Sequence, residues 1–236
     1  NIRILTTPYF TNYDPDQDEN TEISKIGRIE SIQVEDLLER PAIDINTNNV
    51  GAILSNQVVL VTGGAGSIGS EIVRQIANFK PTAIILMEIA ESPLHDLTID
   101  LRRQYPHLQF VPIIADVRDI HMVEEVFAEY HPTVIFHAAA YKHVPLMEDF
   151  PTQAIMANVL GTKNMADMAV KYGVERFVMI STDKAVNPTN IMGASKRIAE
   201  IYVQSLFKQL QKEDSNCTKF ITTRFGNVLG SNGSVI

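Results

Sequence analysis

Four consecutive side chains in the second half of the sequence carry the groups that proton transfer needs. The run Ser181-Thr182-Asp183-Lys184 places two hydroxyls, a carboxylate and an amine directly after an apolar segment. A carboxylate or an amine can act as a general acid or base within hydrogen-bonding reach of a substrate proton. We therefore predict that these residues form the chemical centre of a ligand site, although a surface turn can contain the same residue types.

A second cluster follows in a segment with a helical pattern, Met192-Gly193-Ala194-Ser195-Lys196. Met192 and Lys196 lie four positions apart, so they share one face of a helix. A thioether has no proton to exchange. Acid–base chemistry in this region is therefore expected from Asp183 and Lys184 rather than from Met192.

A glycine-rich turn lies earlier in the chain, after the apolar run Val58–Val61. The spacing of Gly63, Gly66 and Gly69 is typical of a dinucleotide-binding turn. The first glycine makes the turn, the second lets the backbone approach a pyrophosphate, and the third allows close packing of helix on strand. The helix N-terminus then binds the anion, next to the residues Ser67 and Ile68. A purely structural glycine turn is the alternative.

Acidic residues follow the second and third predicted strands. Glu88 is placed to bind the adenosine ribose hydroxyls and to repel a 2′-phosphate, which favours NAD over NADP, unless it is only a solvated strand-end carboxylate. Asp116, with Val117, is placed to reach the adenine. Arg118 keeps NADP open as an alternative, because it can bind a phosphate. We expect Asp119 to cap the next helix rather than to bind a ligand.

Small and then polar side chains follow the fourth predicted strand. Ala138, Ala139 and Ala140 would let a flat ligand lie against the backbone, or would allow close helix packing. Lys142 and His143 come next, at the expected mouth of the crevice. We predict that they face a substrate, with an ordinary surface histidine as the alternative for His143.

These residues need a scaffold, and the chain alternates strand and helix from Gln57 onwards. The predicted strands cover 57–62, 82–87, 109–114, 133–136, 176–180 and 219–223, and the predicted helices 67–79, 91–105, 119–130, 152–172 and 189–212. This alternation indicates an α/β, doubly wound parallel sheet, a Rossmann fold with strand order 3-2-1-4-5-6. The ligand crevice is then at the carboxyl ends of strands one and four.

Residues 1–56 lack this alternation, so we predict an N-terminal lead-in segment over 1–56 and a Rossmann domain over 57–236. An acidic, turn-rich loop is expected over 14–20 and a short helix over Val34–Leu38. Pro41 and the run Asn46–Asn49 are interpreted as loop. The lead-in is expected to pack on the main domain, with a role in an interface as the alternative.

The composition excludes several classes of protein. The 236 residues carry a net charge of −8, which argues against nucleic acid or an anionic membrane surface as the main partner. The single cysteine, Cys217, excludes an internal disulfide and fits a reducing, cytoplasmic compartment. The sequence contains no membrane-spanning apolar run and no signal peptide. No metal site is predicted.

The ends of the chain suggest a piece of a longer protein. The first residue is Asn1 rather than Met, and the last residues, Ser234 to Ile236, begin a new apolar element. We therefore expect the Rossmann domain to be truncated at its C-terminus.

Five motifs together resemble one superfamily, the extended short-chain dehydrogenases/reductases. More closely, the chain resembles the polysaccharide-biosynthesis group of nucleotide-sugar 4,6-dehydratases, over about residues 30–236. That superfamily usually carries Tyr where this chain has Met192, but the large dehydratase subgroup carries Met there. The motifs are Thr62–Gly69, His137–Pro145, Asn158–Thr162, Ser181–Ala185 and Arg224–Val228.

The resemblance implies an NAD-dependent reaction, the removal of water from a UDP-linked hexose such as UDP-N-acetylglucosamine to give a 4-keto-6-deoxy sugar. It implies that Asp183 takes the 4-hydroxyl proton and delivers a proton to the departing C6 oxygen, while Thr182 orients the 4-oxygen. Lys184 is the candidate base for the C5 proton, and its role and that of Asp183 can be exchanged. Lys196 would hold the nicotinamide ribose.

The resemblance also implies that Arg224 and Asn227 line the substrate side, and that the C-terminal part of the family binds the sugar. It implies a homo-oligomer and a role in capsule or glycan synthesis. The long members carry membrane helices before this segment and act on the cytoplasmic face of the inner membrane. A nucleotide-sugar 4-epimerase and a non-catalytic NAD-binding module are the alternatives.

Overall fold

The computed structural model describes residues 5–6, 30–31, 47–214 and 217–228. The chain divides into two compact units, Asn1–Ile45 and Asn46–Ile236. In the first unit, strand β1 (Leu5–Thr6) pairs antiparallel with strand β2 (Glu30–Ser31). The loop predicted over 14–20 and the helix predicted over 34–38 lie outside the described residues.

The second unit is built on a six-stranded parallel sheet with the order β5-β4-β3-β6-β7-β8. This order confirms the predicted Rossmann topology. Strand β5 lies at the edge of the sheet, where its Pro112 is tolerated because an edge residue needs no second hydrogen-bonded neighbour. The strands are β3 (Val58–Thr62), β4 (Ala83–Glu88), β5 (Gln109–Ile114), β6 (Val134–His137), β7 (Arg176–Thr182) and β8 (Lys219–Phe225).

Helices connect successive strands, as the right-handed crossovers of a parallel sheet require. None of the described helices is long and apolar enough to cross a membrane. The helices are α1 (Thr47–Leu54), α2 (Ser67–Ala77), α3 (Glu91–Gln104), α4 (Ile120–Tyr130), α5 (Val144–Asp149), α6 (Pro151–Ala154), α7 (Gly161–Lys171) and α8 (Ile191–Glu213). A π-helical turn, Ile155–Leu160, joins α6 to α7, and a 3₁₀ turn, Asp183–Ala185, follows β7.

The core consists of two apolar layers, one on each face of the sheet. Along β3, Val59 and Val61 are buried in one layer while Leu60 is buried in the other. Side chains of a strand point alternately to the two faces, so a strand that is apolar throughout is covered by helices on both sides. The open positions for a ligand are therefore at the ends of the strands.

Two short helices were not predicted. Helix α1 occupies the run that was interpreted as loop, because Leu54 is buried in the core and Val50 packs beside it. This burial outweighs the turn propensity of the asparagines. Helix α5 begins at Val144, with Pro145 in its first turn, where proline is tolerated, and it buries Met147.

The long helix predicted over 152–172 is interrupted by the π-helical turn. Asn158 in this turn is fully buried, and its Nδ2 donates hydrogen bonds to the Tyr141 carbonyl at 3.0 Å and to Ser195 Oγ at 2.9 Å. Its Oδ1 accepts the Tyr141 N–H at 2.8 Å. The turn therefore ties the loop after β6 to helix α8, and π-helical turns are frequent at functional sites.

Candidate active site

The glycine turn after β3 has no room for side chains. Gly63 has φ +63°, and a Cβ there would lie 2.7 Å from the Ala139 nitrogen. A Cβ on Gly69 would lie 2.1 Å from the Gly63 oxygen. Helix α2 starts at Ser67 after Gly66, which offers no side chain to cap it. The turn therefore fits a pyrophosphate held by backbone N–H groups at a helix N-terminus.

Glu88 connects the end of β4 to this turn. Its carboxylate accepts N–H groups of Ala65 at 3.3 Å, Ile89 at 2.9 Å and Ala90 at 3.2 Å. A carboxylate has about four acceptor positions. Three hydrogen bonds thus fix the side chain beside the turn and leave acceptor capacity for a ribose hydroxyl.

Asp116, after β5, forms a two-pronged ion pair with Arg118. The Arg118 Nε lies 2.8 Å from Asp116 Oδ2, and Nη2 lies 2.6 Å from the same oxygen. These side-chain hydrogen bonds lower the pKa of Asp116. Arg118 Nη1 also donates to Gln153 Oε1 at 2.9 Å. The guanidinium is therefore occupied by two partners rather than free for a phosphate.

Two neighbours of this pair have structural contacts. Val117 is buried, and a Cβ on Gly161 would lie 2.7 Å from its Cγ2, so helix α7 packs directly against it. Asp119 caps helix α4 by accepting the N–H groups of His121 and Met122. The prediction of a cap is confirmed.

His137 at the end of β6 is a buried connector that the sequence analysis did not assign. Its Nδ1 lies 2.7 Å from Thr62 Oγ1 and its Nε2 lies 3.0 Å from Thr162 Oγ1. Desolvation, together with the charge of Lys196, lowers the pKa of His137 to about 3, so the ring is neutral. Thr62 Oγ1 also accepts the Ala139 N–H at 3.3 Å. The neutral histidine thus joins the end of β3 to helix α7, and Thr62 holds the alanine loop at the end of β3.

A cleft of about 350 Å³ opens at the carboxyl ends of β6, β7 and β8. It brings together predicted cofactor, catalytic and substrate residues. A second cleft, of about 440 Å³, lies at the amino-terminal ends of β7 and β8, near Gly173 and Cys217, and contains none of the predicted site residues. The first cleft is lined by Ile68, Ala138, Ala140, Tyr141, Lys142, His143, Val144, Pro145, Ile180, Ser181, Thr182, Lys184, Met192, Lys196, Phe225, Gly226, Asn227 and Val228.

The proton-transfer cluster forms a hydrogen-bonded chain at this cleft. Thr182 Oγ1 donates to Asp183 Oδ1 at 2.9 Å, and Lys184 Nζ donates to the same oxygen at 3.2 Å. Lys184 Nζ also donates to Asn227 Oδ1 at 3.2 Å. The hydrogen bonds from Thr182 and Lys184 lower the pKa of Asp183. Asp183 is therefore a carboxylate, able to accept a proton, at neutral pH.

Helix α8 carries Met192 and Lys196 beside this cluster. The Met192 side chain is buried with Met147 and Ala154, in a small apolar cluster. Lys196 is also buried, and desolvation lowers its pKa to about 8. A Cβ on Gly193 would lie 2.2 Å from the Lys184 oxygen, so the helix touches the 3₁₀ turn directly.

Arg224 does not extend into the cleft as a free cation. Its Nε lies 2.8 Å from Glu200 Oε1 and its Nη2 lies 2.6 Å from Glu200 Oε2. Glu200 also accepts Ser181 Oγ at 2.7 Å and Arg197 Nη1 at 2.9 Å. Burial raises the pKa of this carboxyl, but hydrogen bonds from Arg224, Ser181 and Arg197 outweigh it and lower the pKa to about 2.

The four residues predicted to line the substrate side have different environments in the structure. Lys142 and His143 are exposed at the rim of the cleft, and His143 precedes helix α5 at its N-cap position. Asn227 contacts Lys184, whereas Arg224 contacts Glu200. The sequence analysis assigned no role to Asn158 or Glu200. The four-residue spacing of Lys196 and Glu200 is the signal that could have indicated Glu200, because it places both side chains on one helix face.

The parallel sheet, the glycine turn and the polar cleft define a Rossmann-type nucleotide-binding domain. The sequence profile of a family described as "Polysaccharide biosynthesis protein" matches residues 59–236. The chain belongs to this family, within the extended short-chain dehydrogenase/reductase superfamily, as the sequence analysis predicted.

Curated relatives agree with this assignment. The chain is 48% identical over 213 residues to the capsular polysaccharide biosynthesis protein CapD of Staphylococcus aureus, covering 90% of this chain and 35% of CapD. It is 34% identical over 180 residues to the UDP-N-acetylglucosamine 4,6-dehydratase (inverting) of Campylobacter jejuni, covering 75% of this chain and 51% of that enzyme. The chain thus spans about a third to a half of these relatives.

Solved structures share the fold. Pen from Bacillus thuringiensis superimposes with a TM-score of 0.71 at 32% identity, covering 77% of this chain and 55% of Pen. The UDP-glucose 4-epimerase of Thermus thermophilus, in complex with NAD, gives a TM-score of 0.59 at 30% identity. That match covers 73% of this chain and 56% of the epimerase.

Proposed function

We propose that this domain is the NAD-dependent catalytic core of a nucleotide-sugar 4,6-dehydratase acting on UDP-N-acetylglucosamine. One observation carries the proposal. The hydrogen-bonded chain from Thr182 to Lys184 stands at the cleft with Lys196, while the position that holds Tyr in most of the superfamily is the buried, proton-free Met192. The similarity to the Campylobacter dehydratase supports it.

The proton transfers are divided among Thr182 and Lys184, which line the cleft, and Asp183, which is hydrogen-bonded to both beside it. Asp183 is a carboxylate at neutral pH and accepts the 4-hydroxyl proton. Asp183 then returns a proton to the leaving C6 oxygen, and Thr182 orients the 4-oxygen by its hydroxyl. A bound NAD⁺ would supply hydride acceptance at C4 and hydride return at C6.

Lys184 is the proposed base for the C5 proton. Lys184 lines the same cleft as Lys196, and its Nζ lies 3.2 Å from both Asp183 Oδ1 and Asn227 Oδ1. The hydrogen bond from Lys184 to Asp183 places the two candidate bases side by side. The proposal therefore includes the alternative in which Asp183 takes the C5 proton and Lys184 takes the 4-hydroxyl proton.

The cofactor side is assigned to the glycine turn and its neighbours. The start of α2 would hold the pyrophosphate, Gly63 and Gly66 would allow its close approach, and Glu88 would bind the adenosine ribose. Lys196 would donate to the nicotinamide ribose. Asp116 with Val117 would lie at the adenine.

Turnover of UDP-N-acetylglucosamine by the intact protein tests the proposal. The expected product is lighter by one water, forms without stoichiometric NADH, and carries deuterium at C5 when the reaction runs in D₂O. Mass spectrometry and absorbance at the NADH band make the measurement. A product of unchanged mass that is epimeric at C4 would instead support the 4-epimerase function named for the Thermus relative.

Cofactor preference gives a second prediction. We expect NAD⁺ to bind more tightly than NADP⁺, because Glu88 repels a 2′-phosphate and Arg118 is occupied by Asp116 and Gln153. Glu88→Gln should lower the ratio of the NADP⁺ to the NAD⁺ dissociation constant about tenfold. This change corresponds to about 1.4 kcal/mol in relative binding free energy. Calorimetric titration of both nucleotides measures it.

Glu91→Gln is the matched control, since it removes one exposed carboxylate from the same edge of the sheet without touching the glycine turn. An equal change in both variants would mean that net charge alone sets the preference. A preference of the unmodified protein for NADP⁺ would overturn the assignment of Glu88.

A further inference from the structure

We propose that Glu200 is a positioning residue that acts as the counter-ion of Lys196 and holds the ends of β7 and β8 against helix α8. This inference rests on the proposed function only for its effect on turnover. The structural part of the inference depends on the Glu200 carboxylate, which is fully buried next to the cleft but does not line it.

The contacts of Glu200 come from three different elements. Ser181 donates from β7, Arg224 donates two hydrogen bonds from β8, and Arg197 donates from α8 itself. Ser181 directly precedes Thr182, and Arg224 precedes Asn227 on the way out of β8. One carboxylate therefore fixes the starting points of both segments that carry the polar groups of the cleft.

Glu200 also lies one helical turn after Lys196, on the same buried face of α8. Burial favours the neutral amine, and the Glu200 charge is the influence that opposes this loss of the Lys196 proton. The other ionisable groups at or beside the cleft are His137, whose ring is neutral, Tyr141, Lys142, His143, Lys184 and the Asp183 carboxylate. Asp183 is the other carboxylate among them, and it is paired with Lys184 rather than with Lys196.

A fully buried carboxylate is costly to folding unless its hydrogen bonds are satisfied. Glu200 meets this condition with four donated hydrogen bonds, and Arg224 alone supplies two of them. Arg224 and Arg197 thus both balance the Glu200 charge, and Arg224 makes more of the contacts. Removing Arg224 should leave more of that negative charge acting on Lys196, whereas removing the Glu200 charge should leave none.

The test is the titration of Lys196, followed by NMR of the protein labelled at the lysine ε-carbons and assigned with Lys196→Arg. The unmodified protein should titrate at a pH of about 8. Glu200→Gln should move the midpoint to lower pH, and Arg224→Gln should move it to higher pH. Glu124→Gln, which breaks the surface pair with Lys171, is the matched control and should move nothing.

The opposite signs separate this role from general loosening of the fold, which would expose Lys196 and move both midpoints in the same direction. Glu200→Asp keeps the charge and should restore the midpoint towards that of the unmodified protein. An unchanged midpoint in Glu200→Gln, or equal shifts in both variants, would overturn the inference. If Glu200→Gln does not fold, a higher Lys196 midpoint in Arg224→Gln still supports the inference, and an unchanged midpoint overturns it.

Turnover adds a separate readout. In Glu200→Gln, kcat/KM should fall about tenfold at pH 8 and recover as the pH is lowered, because acid restores the Lys196 proton. A loss that is equal at every pH would indicate damage to the cleft instead. The NMR titrations need neither substrate nor turnover, so they remain decisive even if the dehydratase proposal fails.

Discussion

Replacement of Asp183 by Asn is expected to lower kcat by about 10²–10⁴-fold, the usual contribution of a general acid–base step. The amide keeps the shape of the side chain and can still accept the Thr182 and Lys184 hydrogen bonds. It cannot take up the 4-hydroxyl proton or deliver a proton to the C6 oxygen. Steady-state turnover of UDP-N-acetylglucosamine, with NAD⁺ binding measured beside it, separates lost chemistry from lost structure.

Met192→Leu is the control for this variant. Leucine roughly keeps the volume and apolarity of a side chain that packs with Met147 and Ala154, so most of the activity should remain.

Lys184→Ala should in turn block deuterium exchange at C5 while some oxidation at C4 survives. Full activity in Asp183→Asn would place the base elsewhere, and His143 at the cleft rim would be the next residue to test.

Gly69→Ala is expected to have the second large effect, on cofactor binding. The new Cβ would lie 2.1 Å from the Gly63 oxygen, a backbone atom that cannot move away without reshaping the turn. We expect NAD⁺ binding to weaken at least about tenfold and the free energy of unfolding to fall by about 1–3 kcal/mol, the typical cost of overpacking. Calorimetry and denaturant unfolding measure the two effects.

Gly51→Ala provides the comparison for the same chemical change. Gly51 lies within helix α1, and a Cβ there would lie 3.7 Å from Phe79 Cδ1, an ordinary contact. Alanine should stabilise this helix slightly and leave NAD⁺ binding unchanged. Unaltered NAD⁺ affinity in Gly69→Ala would show that the third glycine is not required for the pyrophosphate site.

The sheet could be predicted from the sequence because its signals are local and repeated. Each central strand is an apolar run that ends in a turn, and each is followed by a helical period, so the topology follows from general rules for parallel sheets. The edge position of β5 even explains its Pro112. Prediction failed where tertiary packing determined the local structure. The asparagines at the start of helix α1 suggested a loop, but the burial of Leu54 in the core favours a helix.

The site was only partly predictable. The glycine turn, Asp183, Lys184 and Lys196 were chosen because their spacing along the chain placed them at one edge of the sheet, and the structure brings the last two to one cleft. Their roles remain predictions. The pairing of Arg224 with Glu200 was not visible, because two residues on separate elements meet only after β8 has packed beside α8.

The contact between Gly193 and the Lys184 carbonyl limits how this protein can be changed. A single added carbon would lie 2.2 Å from that oxygen, so position 193 tolerates no side chain while the turn keeps its place. The Asp183–Ala185 turn and the first turn of α8 therefore form one module for engineering. A designer who grafts the acid–base turn onto another Rossmann scaffold must transfer the glycine and its helix start with it.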